Sequence, residues 1–126
     1  DETKNKVERF KSFEKGWNFG KGVPSKPEIV TTVLFLLSFA GRKGFDNFNA
    51  FPGVDGSVML CIYKNGYDFE CHFNSEDSAT LYIEKYKDSD GVLLPELLEL
   101  HYSENNSLVE ILEKLDAFKI LYGYDK

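Results

Sequence analysis

Histidine and cysteine are scarce in this chain, two of each among 126 residues, and that scarcity removes most of the side-chain chemistry available near neutral pH. Cys61 and Cys71 lack the spacing of a metal knuckle or a redox pair. His72 and His101 belong to no recognisable nucleophile, base and orienter pattern, so a hydrolase built on either cysteine lacks its partners. Basic charge is in deficit too: Lys+Arg 15 against Asp+Glu 21 gives a net charge of -6. Such a field repels phosphate backbones and argues against direct nucleic-acid binding. Long apolar runs are missing. The longest, Val33 to Gly41, gives way at once to Arg42 and Lys43, far short of a membrane span. Few cysteines and no apolar leader make a reduced, cytoplasmic location the expectation, although a chain opening on Asp1 instead of Met leaves a removed signal open. No cofactor is expected.

Rings and aliphatics are plentiful. Aromatic residues make up 15% of the chain, with 11 Phe and 7 Tyr, inside a hydrophobic content of 42%. That supports one ring-rich core and a single domain over residues 1–126. From Glu2 to Trp17, Val7, Phe10, Phe13 and Trp17 recur at steps of three or four, the stripe of an amphipathic helix. Gly16 to Pro24 then reads as an ordered loop in which Trp17 and Phe19 act as anchors. Ser25-Lys26-Pro27-Glu28 has the form of a capping box. The following helix carries Ile29, Val30, Val33, Leu34, Phe35, Leu36, Leu37 and Phe39, apolar on nearly every side, and stops at Gly41 and Gly44.

Asn65-Gly66 predicts a two-residue hairpin turn. With Lys64 opposite Tyr67, Ile62 faces Phe69, Leu60 faces Cys71 and Val58 faces Phe73, all on one apolar face. Met59, Cys61, Tyr63, Asp68, Glu70 and His72 then share the other face, expected to be wet. The two cysteines fall on opposite faces and are expected as free thiols. Ser75 to Ser78 is a turn, Thr80 to Tyr86 a returning strand with Leu81 and Ile83 inward, and Phe45 to Phe51 an earlier strand reached through the tight Pro52-Gly53-Val54-Asp55-Gly56 connection. Gly91 to Tyr102, broken by Pro95, fits a short helix or an edge segment. Ser107-Leu108-Val109-Glu110 opens a last helix along Leu108, Ile111, Leu112, Leu115 and Phe118. The expected fold class is α+β: an antiparallel three- or four-stranded meander with helices packed on one face, in the order helix-helix-sheet-helix.

Candidate chemistry is concentrated on the hairpin. Gly16, Gly20 and Gly22 precede a helix but follow another helix, the wrong context for a phosphate loop. Asp68, Glu70 and His72 alternate along one strand and project together. With Cys61 opposite Glu70, a metal set of Glu70, His72 and Cys61, or a metal-dependent enzyme using Asp68, Glu70 and His72, is one reading. The bland alternative is a half-buried sheet showing its polar side to water. Another is a docking surface made of Met59, Tyr63, Asp68, Glu70 and His72, since Tyr and Met beside polar groups match protein interfaces. A further alternative is an acidic mimic of DNA drawing on Asp68, Glu70, Glu84 and Asp88. Tyr122 and Tyr124 more readily fold back than face a partner, His101 reads as a loop residue, and Asp88, Asp90 and Gly91 read as a solvated turn, not a calcium loop.

Gly16-Trp17-Asn18-Phe19-Gly20 with Pro24-Ser25, and Phe51-Pro52-Gly53-Val54-Asp55-Gly56 running into the hairpin, resemble an uncharacterised group of small prokaryotic proteins. The resemblance implies a fold-defining loop and turn and carries no catalytic residue. Together these readings lead to the expectation of a non-enzymatic protein-binding domain of an accessory, immunity-like or inhibitor kind, whose partner is another protein, with a basic surface. Oligomeric state is left open.

Overall fold

In the computed structural model, which describes residues 2–64, 67–85 and 103–121, the alternating apolar residues of the hairpin set the architecture. β2 (Val58–Lys64) and β3 (Tyr67–Phe73) pair antiparallel with Ile62 against Phe69, Leu60 against Cys71 and Val58 against Phe73. This is the expected register, and all six side chains are buried. A slip of one residue would turn Asp68 and Glu70 into that face, so burial excludes the adjacent register. The Asn65-Gly66 turn lies outside the described residues. β1 (Phe48–Pro52) and β4 (Ser78–Lys85) flank the hairpin, and β5 (Ser103–Ser107) adds to β4. Among the described residues the sheet is antiparallel throughout, in the order β1-β2-β3-β4-β5.

The sheet therefore has five strands where three or four were expected. β5 reads Ser-Glu-Asn-Asn-Ser, without apolar alternation, so pairing alone reveals it. β1 begins at Phe48, not Phe45, and β4 places Leu81 in the core and Ile83 opposite Phe69. Tyr86, the Gly91 to Tyr102 segment, Asp88, Asp90, His101, Tyr122 and Tyr124 lie outside the described residues.

Three described helices supply the other layer of the α+β fold. α1 (Glu2–Phe10) contributes Val7 and Phe10, and α2 (Pro27–Arg42) contributes Ile29, Val30, Val33, Leu36, Leu37 and Ala40. α3 (Leu108–Leu121) contributes Ile111 and Leu115. These residues form one cluster with the apolar face of the sheet, and each large side chain withdrawn from water contributes about 1.5–3 kcal/mol. α2 is less central than its composition implied, because Phe35 stays 47% exposed.

α1 stops at Phe10, short of the expected Trp17. The Phe10 carbonyl accepts Ser25 N at 3.0 Å, so the returning loop takes the place that a continuing helix would use. Phe13 and Trp17 still pack together, their rings tilted with centroids 5.1 Å apart, and Trp17 Nε1 donates to the Val23 carbonyl at 2.7 Å. Phe19 is not an anchor: it is 99% exposed at φ 54.

The two matching capping-box sequences behave differently. At α3, Ser107 N donates to Glu110 Oε1 at 3.0 Å and Glu110 N to Ser107 Oγ at 3.4 Å, a reciprocal cap. At α2 the N-cap is Lys26, with no side-chain cap, and Pro27 begins the helix without needing an acceptor for an N–H. Ser25 is thus one residue too early, and its buried Oγ has no hydrogen-bond partner among the described residues. The α2 terminus is a Schellman turn: Phe45 N reaches Ala40 O, Gly44 N reaches Gly41 O, and Gly44 takes φ 98.

The two motif loops close on each other. Val23 N donates to Val54 O at 2.9 Å and Lys26 N to Gly56 O at 3.1 Å. Gly56, at φ 89, lies so close that a Cβ would stand 3.2 Å from the Pro24 carbonyl. Asp55 ties the turn by accepting from Ser57 N and Ser57 Oγ, and these bonds hold its carboxyl below the ordinary carboxylate value.

Urea denaturation should separate the two serines. Ser107→Ala is expected to lose about 1 kcal/mol, whereas Ser25→Ala should stay within about 0.5 kcal/mol of the parent or exceed it; equal losses would contradict the cap assignment. Gly56→Ala should lose about 1–3 kcal/mol through its backbone conformation and its contact with Pro24.

Candidate functional site

The hairpin register places a second set of residues on the face opposite the core. Asn49, Cys61, Glu70 and Tyr82 lie in one cross-strand row, and Phe51, Met59, His72 and Thr80 lie in the next. Tyr63 pairs with Asp68, which pairs in turn with Glu84. All five nominated residues, Met59, Tyr63, Asp68, Glu70 and His72, therefore share this surface, joined by Cys61. Sequence reasoning passed over Phe51 and Tyr82, although extending the register one strand to each side would have found both.

Depth on this face differs from expectation. Asp68 is 7% exposed and Cys61 is 2% exposed, so neither is wet. β3 has a strand on each side, and Met59, Tyr63 and Glu70 line the same concavity as these shorter side chains. Alternation tells which way a residue points; it does not tell how high its neighbours rise. Glu70 and His72 remain partly exposed, at 25% and 39% of their side-chain surfaces.

Between these groups lies a cavity of about 410 Å³. Phe51, Met59 and Tyr63 form its walls, Tyr67 of the core-facing set borders it, and Cys61, Asp68 and Glu70 supply its polar atoms. Lys6 reaches round from α1, donating to Asn49 Oδ1 at 2.9 Å and lying 5.0 Å from the Phe51 ring centroid. A second concavity, of about 570 Å³, runs between α1 and β1 past Thr3, Lys6, Arg9 and Asn49, with Glu2 and Asn5 also in its lining.

Electrostatics at the cavity favour neutral donors. Burial pushes the Cys61 thiol up to about 12, with the Asp68 and Glu70 carboxylates adding to the rise against the Tyr63 hydroxyl and Lys6. Tyr63 is raised as well, first by burial and then by its hydrogen bond to Cys61. Cys71, on the core face, is raised by burial. Both thiols are free. A thiol held protonated at neutral pH is a poor nucleophile.

The metal set differs from the one nominated. Cys61 Sγ and carboxylate oxygens of Asp68 and Glu70 lie within 4.8 Å of one another. His72 is turned aside, with Nε2 3.3 Å from Glu70 Oε1 and its ring edge-on to Tyr82 at 5.1 Å. Asp68 thus takes the place expected for His72. One sulfur and two carboxylate oxygens could hold a divalent ion, but that ion must displace a proton held more tightly than on an ordinary thiol.

These thiols give stability a signed pH dependence. Cys61 has its proton affinity raised in the folded state, so its contribution is complete below the ordinary value of 9.0 and is lost as pH rises towards about 12. Denaturation midpoints should fall across that window, and Cys61→Ala should make the decline shallower without abolishing it, since Cys71 and Tyr63 act in the same direction. An unchanged slope would show that Cys61 titrates as it does unfolded. The chain matches no protein-family model, and no curated protein or solved structure is similar to it.

Proposed function

We propose that this chain is a non-enzymatic protein-binding domain, of an accessory, immunity-like or inhibitor kind, that docks a partner with a basic surface through the face carrying Met59, Tyr63, Asp68, Glu70 and His72. The observation that carries the reading is the cavity on that face, with aromatic and thioether walls around two carboxylates. Apolar contact area surrounding a few desolvated polar groups is the composition of an interface centre. The net charge of -6 supports a partner of opposite sign, because complementary fields speed encounter and reject wrong partners. Burial of Asp68 weighs against the DNA-mimic alternative, which needs its carboxylates displayed outward.

A metal-binding role is the second reading, favoured by the convergence of Cys61, Asp68 and Glu70. Cobalt(II) added to the reduced protein separates the two: a thiolate-to-cobalt absorption band lost in Cys61→Ser would establish the metal.

Affinity capture from the source cell, comparing the parent with Glu70→Lys and Met59→Lys, tests the docking face. Proteins retained specifically by the parent should be released by about 0.5 M salt and should be lost from both variants, with far-UV circular dichroism unchanged. Retention by the variants equal to the parent would remove this face from the function.

A further inference from the structure

Resting on the docking-face reading, we infer that the cavity between Phe51, Met59 and Tyr63 receives one arginine side chain of the partner, its guanidinium bridging the Asp68 and Glu70 carboxylates. Asp68 and Glu70 are two residues apart on β3, so their side chains rise from the same face. Their oxygens nevertheless converge to within 4.8 Å. A planar guanidinium presents N–H groups on several edges and can give one hydrogen bond to each of two such oxygens, whereas an ammonium is a compact point charge.

The walls suit the rest of an arginine. Its methylene stem is apolar and packs against thioether and ring surfaces, and its flat head stacks on aromatic faces. The volume of about 410 Å³ lies within the range of sites that enclose a small group. Lys6 shows that this rim accepts a cation, since its ammonium lies over the Phe51 ring. The same ammonium is held by Asn49 Oδ1 at 2.9 Å, and among the described residues the lining of the cavity carries two acidic side chains and no basic one. Charge complementarity therefore selects a cationic occupant, and the convergent oxygens select the guanidinium.

The occupant can be tested without knowing the partner. The full chain, labelled with nitrogen-15, is titrated with N-acetyl-arginine amide, N-acetyl-lysine amide and N-acetyl-citrulline amide, and backbone amide shifts of Cys61, Asp68 and Glu70 are followed. Arginine amide should shift these amides saturably and citrulline amide should not. Glu70→Gln, which keeps shape and removes charge, should weaken arginine binding about tenfold, as expected for losing one charge-assisted hydrogen bond. Phe51→Ala should weaken it without altering the charge of the site. Equal responses to arginine and citrulline, or to arginine and lysine, would overturn the assignment, as would arginine binding indifferent to Glu70→Gln. If the probe fails while Glu70→Lys still abolishes partner capture, the arginine is wrong and the docking face stands. If capture is also indifferent, the face itself is wrong.

Discussion

Everything in this fold follows from the pairing of β2 with β3. Val58, Leu60 and Ile62 on one strand and Phe69, Cys71 and Phe73 on the other are dry together, and with a side-chain period of two a one-residue slip would carry Asp68 and Glu70 into the core. Helices α1, α2 and α3 then have one surface on which to bury their apolar residues, and they join it in a single cluster. The strands on either side extend a plane that the hairpin has already oriented.

The same pairing builds the opposite face without any further instruction. Because Leu60 must meet Cys71, Cys61 must meet Glu70 and Tyr63 must meet Asp68. A thiol, two carboxylates and a phenol are gathered as a by-product of dryness on the other side. Burial, with the two carboxylates adding to it, keeps the Cys61 proton in place, so the thiol stands in this site as a neutral group.

What the sequence disclosed, and what it hid, has a physical pattern. Segments with strong periodicity or a special residue were legible: the hairpin, the stop at Gly44, the Pro52 to Gly56 turn and the Ser107 cap. β5 was hidden because Ser, Glu and Asn carry no alternation, and its place is set by hydrogen bonds to β4. The stripe through Val7, Phe10, Phe13 and Trp17 is real in space, but backbone from Ser25 interrupts the helix beneath it. Ser25 and Ser107 show the limit of a motif: the same residue types cap one helix and miss the other, because Pro27 shifts the start by one. On the candidate face the register told which residues share the surface, while the burial of Asp68 and the edge-on contact of His72 with Tyr82 depended on neighbours that no pattern of alternation weighs.

Surface loops normally absorb extra residues at little entropic cost. The connection between α1 and α2 and the one between β1 and β2 have surrendered that freedom, because each supplies acceptors or donors to the other at Val23, Val54, Lys26 and Gly56. They work as a clasp joining the helical layer to the edge of the sheet. Lengthening either one would pull its rungs out of step with the other, so these two surface connections have become a pair that can change only in concert.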